Sequence, residues 1–148
     1  MSLKARILDD IKSAMKAREG ERLGALRLIS AAIKQREVDE RIDMQDTDVL
    51  AVLEKMVKQR RESISQFDAA GRQDLADKER FELAVIGAYL PEPLDAAHLE
   101  AEVKAAIAEA AASTPRDMGA VMALLRPRLL GRADMAVVSQ QVKALLGG

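Results

Sequence analysis

Apolar residues return every three or four positions along most of this chain, the spacing that gathers them on one side of an α-helix. Leu3, Ile7, Ile11 and Met15 mark a first helix, with Leu8 and Ala14 widening its stripe and Ser2 placed to cap it. Gly20 marks its end. A second helix from Glu21 presents Leu23, Leu26, Ile29 and Ile33 and extends toward Ile42, so the first two elements predict a hairpin. Asp46 and Thr47 are cap candidates for a third helix whose buried side is Leu50, Leu53, Val57, Ile64 and Phe67, stopping near Gly71. A fourth runs from Gln73 to Ala88 with Leu75, Phe81, Val85 and Ile86. It ends before Tyr89-Leu90-Pro91-Glu92-Pro93, because each proline pushes its predecessor toward an extended backbone.

The proline pair predicts a domain boundary, with an N-terminal helical domain over residues 1–90 and a C-terminal one over 91–148. In the second, Asp95 can cap a helix from Ala96 to Ala112 that buries Leu99, Val103 and Ile107. Thr114 and Pro115 offer a cap and a first helical position for a short helix with Val121, Met122, Leu124 and Leu125 on its apolar side, which Arg126-Pro127-Arg128 should end. Gly119 and Gly131 are the expected turn positions. Asp134 caps a last helix through Val137, Val138, Val142 and Leu145. The predicted fold is all-α: an N-terminal helical-hairpin domain followed by a small bundle of about three helices.

Composition agrees, since 49% hydrophobic and 32% charged residues come with few β-branched or aromatic runs. With 23 basic against 24 acidic residues there is no global field to hold nucleic acid, so any such binding must be local. Locally the charge is polarised. From Pro115 onward Arg116, Arg126, Arg128, Arg132 and Lys143 face Asp117 and Asp134, five cations against two carboxylates for +3; residues 91–114 hold Lys104 against Glu92, Asp95, Glu100, Glu102 and Glu109, for −4. The chain has no cysteine, which excludes thiol catalysis, disulfides and cysteine-bound metal. Residues 1–20 lack the apolar run of a secretory signal and no stretch is long enough to span a bilayer, so a cytoplasmic location with no membrane partner is expected.

Chemistry is hard to assemble from these residues. The lone histidine, His98, opens a helix on its surface; it shares i, i+4 spacing with Glu102 and lies near Asp95, but a third fixed ligand is missing, so no metal is expected. The carboxylate pairs Asp9-Asp10, Asp39-Glu40 and Asp46-Asp48 lie on polar faces or at helix starts, where neither member is desolvated for acid–base work. No glycine-rich phosphate loop occurs. No catalytic residue and no cofactor are therefore expected. The methionines, including Met118, Met122 and Met135, read as gap-filling core before they read as a partner groove. Lys55, Lys58, Arg60 and Arg61 read as a solvated ridge offset by Glu54 and Glu62. Arg126, Arg128, Arg132 and Lys143 are less compensated, and guanidinium forks suit phosphate. With almost no aromatics to stack on bases, a folded RNA held by backbone and shape is the better fit.

The stretch DMGAVMALLRPRLLGRAD followed by VSQQVKALL resembles the C-terminal signature of the GatB/YqeY family. ERLGALRLISAAIK, KQRRESISQFDAAGRQDLADKE and AYLPEPL extend the likeness to stand-alone YqeY-type members over nearly the whole chain. The resemblance implies a helical N-terminal domain and a C-terminal domain similar to the tail of the B subunit of glutamine-dependent aspartyl/glutamyl-tRNA amidotransferase, hence contact with folded tRNA. Gly119, Arg128, Gly131, Arg132, Ala133 and Asp134 fit the pattern. Ala120 stands where the family usually has a basic residue, and Met135 where it usually has glycine. The expected function is a non-catalytic accessory protein that docks tRNA, or a tRNA-handling protein complex, through Arg126, Arg128, Arg132 and Lys143. Two alternatives stand beside it: a component of carbon–nitrogen ligase activity with glutamine as amido donor, and a helical protein-interaction module.

Overall fold

A computed structural model describes residues 1–147. Among them every regular element is helical: α1 (Leu3–Lys16), α2 (Gly20–Glu40), α3 (Asp46–Ala69), α4 (Gln73–Gly87), α5 (Ala96–Glu109), a 3₁₀ turn (Pro115–Asp117), α6 (Met118–Leu129) and α7 (Met135–Leu145). The chain forms two compact units, Met1–Leu90 and Pro91–Gly148, each with its own core.

The first unit buries Ile7 and Ala14 of α1, Leu26, Ile29 and Ile33 of α2, Val49, Val52, Leu53 and Met56 of α3, and Ile86 of α4. Leu8 and Met15, expected in the α1 stripe, are 44% and 53% exposed. A strict four-residue repeat gains about 40° per step on a helix of 3.6 residues per turn. Three steps from Leu3 carry Met15 off the packed face, and Ala14 takes its place. Ser2 does cap α1, its hydroxyl accepting from the Ala5 N–H at 3.1 Å. Gly20 does not end α1 but begins α2; the reversal is made by Arg18 in the left-handed region at φ 58°. Ile42 lies beyond α2, which closes on Arg41. Asp46 caps α1 rather than α3, accepting from the Leu3 N–H at 2.9 Å, while Asp48 accepts from the Gln45 N–H at 3.0 Å at the start of α3.

Beyond Met56, α3 has no fully buried residue, and Ile64, Phe67, Leu75 and Phe81 are half-buried or exposed. This stretch of the α3–α4 hairpin is held by charge. Arg60, expected on a solvated ridge with Lys55, Lys58 and Arg61, instead turns inward: its Nε donates to Glu82 Oε2 at 2.8 Å and lies 3.2 Å from Glu79 Oε2. Arg80 pairs with Asp68 and Asp77 nearer the tip. At the other end of α4, Tyr89 is buried; its hydroxyl donates to the Asp10 carboxylate, and the Arg6 guanidinium lies 5.0 Å from the centre of its ring. Burial, with the Asp10 carboxylate second, pushes the phenol above its usual range.

In the second unit Leu99, Val103 and Ala106 of α5 pack with Val121, Met122, Leu125 and Leu129 of α6 and Val138, Val142 and Leu146 of and after α7. Asp95 caps α5, accepting from the His98 N–H at 2.8 Å and lying 2.7 Å from His98 Nδ1, so the histidine serves the cap at an exposed surface. Pro127 does not end α6, which runs on to Leu129. Pro127 takes away the N–H that would reach the Ala123 carbonyl and crowds that carbonyl with its ring, yet Ala123 is exposed and only two more residues follow in the helix.

Candidate docking surface of the C-terminal unit

The four cations singled out from the sequence occupy different places. Arg126 and Arg128 are two positions apart on α6, about 200° of rotation, so they leave the helix on opposite sides. Arg128 turns to α5, where its Nη2 donates to both carboxylate oxygens of Glu109, Oε2 at 2.8 Å and Oε1 at 3.0 Å. That charge is already half-answered within the unit. Arg126 lies with Gly119, Met122 and Ala123 on the other side, along a groove of about 540 Å3 whose α7 wall is Met135 and Ser139. Arg132 follows α6 in the connecting loop. Its Nε donates to the Glu92 carbonyl at 3.3 Å, and its own carbonyl accepts from the Leu94 N–H at 3.0 Å, a two-bond clasp on the segment that enters α5. Lys143 is exposed in the last turn of α7.

The two carboxylates of residues 115–148 accept from backbone. Asp117 accepts from the Ser113 and Thr114 N–H groups at 2.9 and 3.1 Å, and these bonds hold its carboxyl below the usual range. Asp134 caps α7, accepting from the Ala136 N–H at 2.9 Å. Arg116, Arg126 and Lys143 therefore have no carboxylate partner among the described residues.

Of the expected turn positions, Gly131 and Asp134 form the α6–α7 connection. Gly131 has φ 79°, which lets the Arg132 N–H fold back onto the Leu129 carbonyl at 2.8 Å. Gly131→Ala is expected to cost about 1 kcal/mol, read as a shift in the urea midpoint; no shift would refute the conformational role. Gly119 is not in a loop: it is the second residue of α6 and has an ordinary helical backbone. Sequence reading also missed Glu109 as the partner of Arg128, because a pairing across nineteen positions leaves no periodic trace. The reading of the methionines as core holds for Met44, Met56 and Met122, and Met118 and Met135 pack half-buried against the second core, while Met118, Met122 and Met135 also line the groove.

An all-helical protein of two units, the second a three-helix bundle, is the class that the fold defines. Residues 4–146 match the Yqey-like protein family, and the chain belongs to it. It is 39% identical over 87 residues to Altered inheritance of mitochondria protein 41, mitochondrial, of Eremothecium gossypii, covering 58% of this chain and 48% of that protein. Its likeness to the protein of the same name in Pyrenophora tritici-repentis is 28% over 145 residues, or 96% of this chain and 80% of the relative. An uncharacterized protein of Schizosaccharomyces pombe is 33% identical over 91 residues, 62% of this chain and 74% of its own. The chain spans about half the length of several of these curated relatives, 48%, 47% and 46% in three of them.

These relatives overturn the cytoplasmic location expected from the sequence, since those that carry this name are mitochondrial proteins by it. No helix among the described residues is long and apolar enough to cross a membrane.

Proposed function

We propose that this protein is an accessory factor that docks folded tRNA, or a complex handling it, through the cations of its C-terminal unit, without making or breaking a bond itself. Membership of the family supports a general association with tRNA and amidotransferase proteins. The observation that carries the finer reading is that Arg126 and Lys143 are exposed without a carboxylate partner while Asp117 and Asp134 are occupied by helix caps. Arg132 adds its terminal nitrogens, since only its Nε is engaged. Arg128 is held in reserve by Glu109.

Phosphate contacts release counterions, so affinity should fall with salt, each contact adding about one to the logarithmic slope. Arg126→Ala, Arg132→Ala and Lys143→Ala together should lower the slope of tRNA binding by about three. Glu109→Gln should act in the opposite sense, freeing Arg128 and raising the slope by about one. Both are read by titrating tRNA at several salt concentrations, with circular dichroism as the check on folding. A folded triple variant with undiminished affinity and slope would remove this surface from the function.

A further inference from the structure

The methionine-lined groove is the feature that tRNA docking leaves unused. Its walls bring together Met118, Gly119, Met122, Ala123 and Arg126 from α6 with Met135 and Ser139 from α7. A phosphate backbone gains nothing from thioethers, and a nucleobase finds no aromatic ring there to stack on. Long unbranched methionines suit an apolar partner whose surface is irregular, because they repack at small cost.

The cations beside the groove are unpaired among the described residues, whereas the two carboxylates that adjoin it, Asp117 before Met118 and Asp134 before Met135, accept backbone N–H groups. Arg126 stands on its wall, Arg116 precedes α6, and Lys143 lies four residues beyond Ser139, one turn further along the same side of α7; none has a carboxylate partner among the described residues. At Gly119, the second residue of α6, a Cβ would meet nothing within 4 Å, as at Gly20, Gly24 and Gly87, so a larger side chain placed on this wall meets no internal clash.

We propose that the α6–α7 groove binds an amphipathic helix of a partner protein, apolar on the side that enters and acidic along its flanks. From Met118 to Arg126 the groove follows α6 for about 12 Å, the rise of about two helical turns. The helix lays its apolar anchors between the methionines, as helix-in-groove recognition does, and sets a carboxylate against Arg126. This inference stands apart from tRNA docking, although the two share Arg126.

Methyl NMR of the full chain labelled at methionine tests it, because the seven methionines include built-in controls. The probe is a synthetic helical peptide with leucines on one side and glutamates flanking them. Met118, Met122 and Met135 should shift, while Met1, Met15, Met44 and Met56 stay. Arg126→Glu should weaken this peptide roughly tenfold and favour a version with lysines for glutamates. Gly119→Leu, which has room to fold, should block the peptide without loss of helix signal and without loss of tRNA binding, which separates this inference from the previous one. The proposal is overturned if the groove methyls stay still, if a scrambled peptide moves them equally, or if only an RNA oligonucleotide moves them.

Discussion

Arg60→Ala is expected to destabilise the N-terminal unit by about 3 kcal/mol, well beyond what a surface charge is worth. Glu82 is 9% exposed, a buried carboxylate, and its partner Arg60 reaches it from α3 at 2.8 Å. Glu79 Oε2 lies 3.2 Å from the same nitrogen but has no hydrogen bond. One cation thus answers two carboxylates. Deleting it leaves both facing each other in a partly dry hairpin, and this loss exceeds the net value of the pair when it is intact. Urea denaturation should show the lowered midpoint. Replacing all three charges, as Arg60→Met with Glu79→Gln and Glu82→Leu, should recover most of the loss, because apolar packing substitutes well for a buried ion pair. An Arg60→Ala midpoint equal to that of the unaltered chain would show that water already reaches the cluster.

Leu125→Ala is expected to have a comparable effect on the other unit, about 2–5 kcal/mol. Leu125 is fully buried among Val103, Val121, Val138 and Val142, with contributions from all three helices of the bundle. A core this small supplies only about 3–5 kcal/mol in total. The substitution should therefore melt α5 to α7 without touching any cation on their surface. Hydrogen exchange would read this as lost amide protection over residues 96–145, with α1 to α4 protected as before. Binding of tRNA should vanish with it. Full protection in α5 to α7 would mean that this bundle draws its stability from elsewhere.

Much of the architecture is legible in the residues. Apolar spacing announced helices throughout, and Ser2, Asp95 and Asp134 were recognised as caps that do accept the expected backbone N–H groups. Two local rules fail at particular residues. A repeat of four in α1 predicts Met15 in the stripe although the helix has rotated past it, and Pro127 predicts a stop although α6 runs on to Leu129.

The candidate site was less legible. Its cations could be named from the sequence, but not their availability: Arg128 is tied to Glu109 and Arg132 to the Glu92 carbonyl, while Arg126 looks across a groove at Met135. Such partners arise from helices meeting side by side, and nothing in the local pattern fixes which residue of one helix lies level with which of another.

The sequence by itself determined that this protein is helical, where most helices begin, and that its C-terminal part concentrates positive charge, because backbone hydrogen bonding and side-chain periodicity act within a few residues. Tertiary structure alone decided that Arg60 turns inward, that Arg128 is answered and Arg126 is not, and that Met118, Met122 and Met135 line a groove. Those outcomes depend on contacts between residues far apart in the chain, where burial and charge are settled by which helix faces come together.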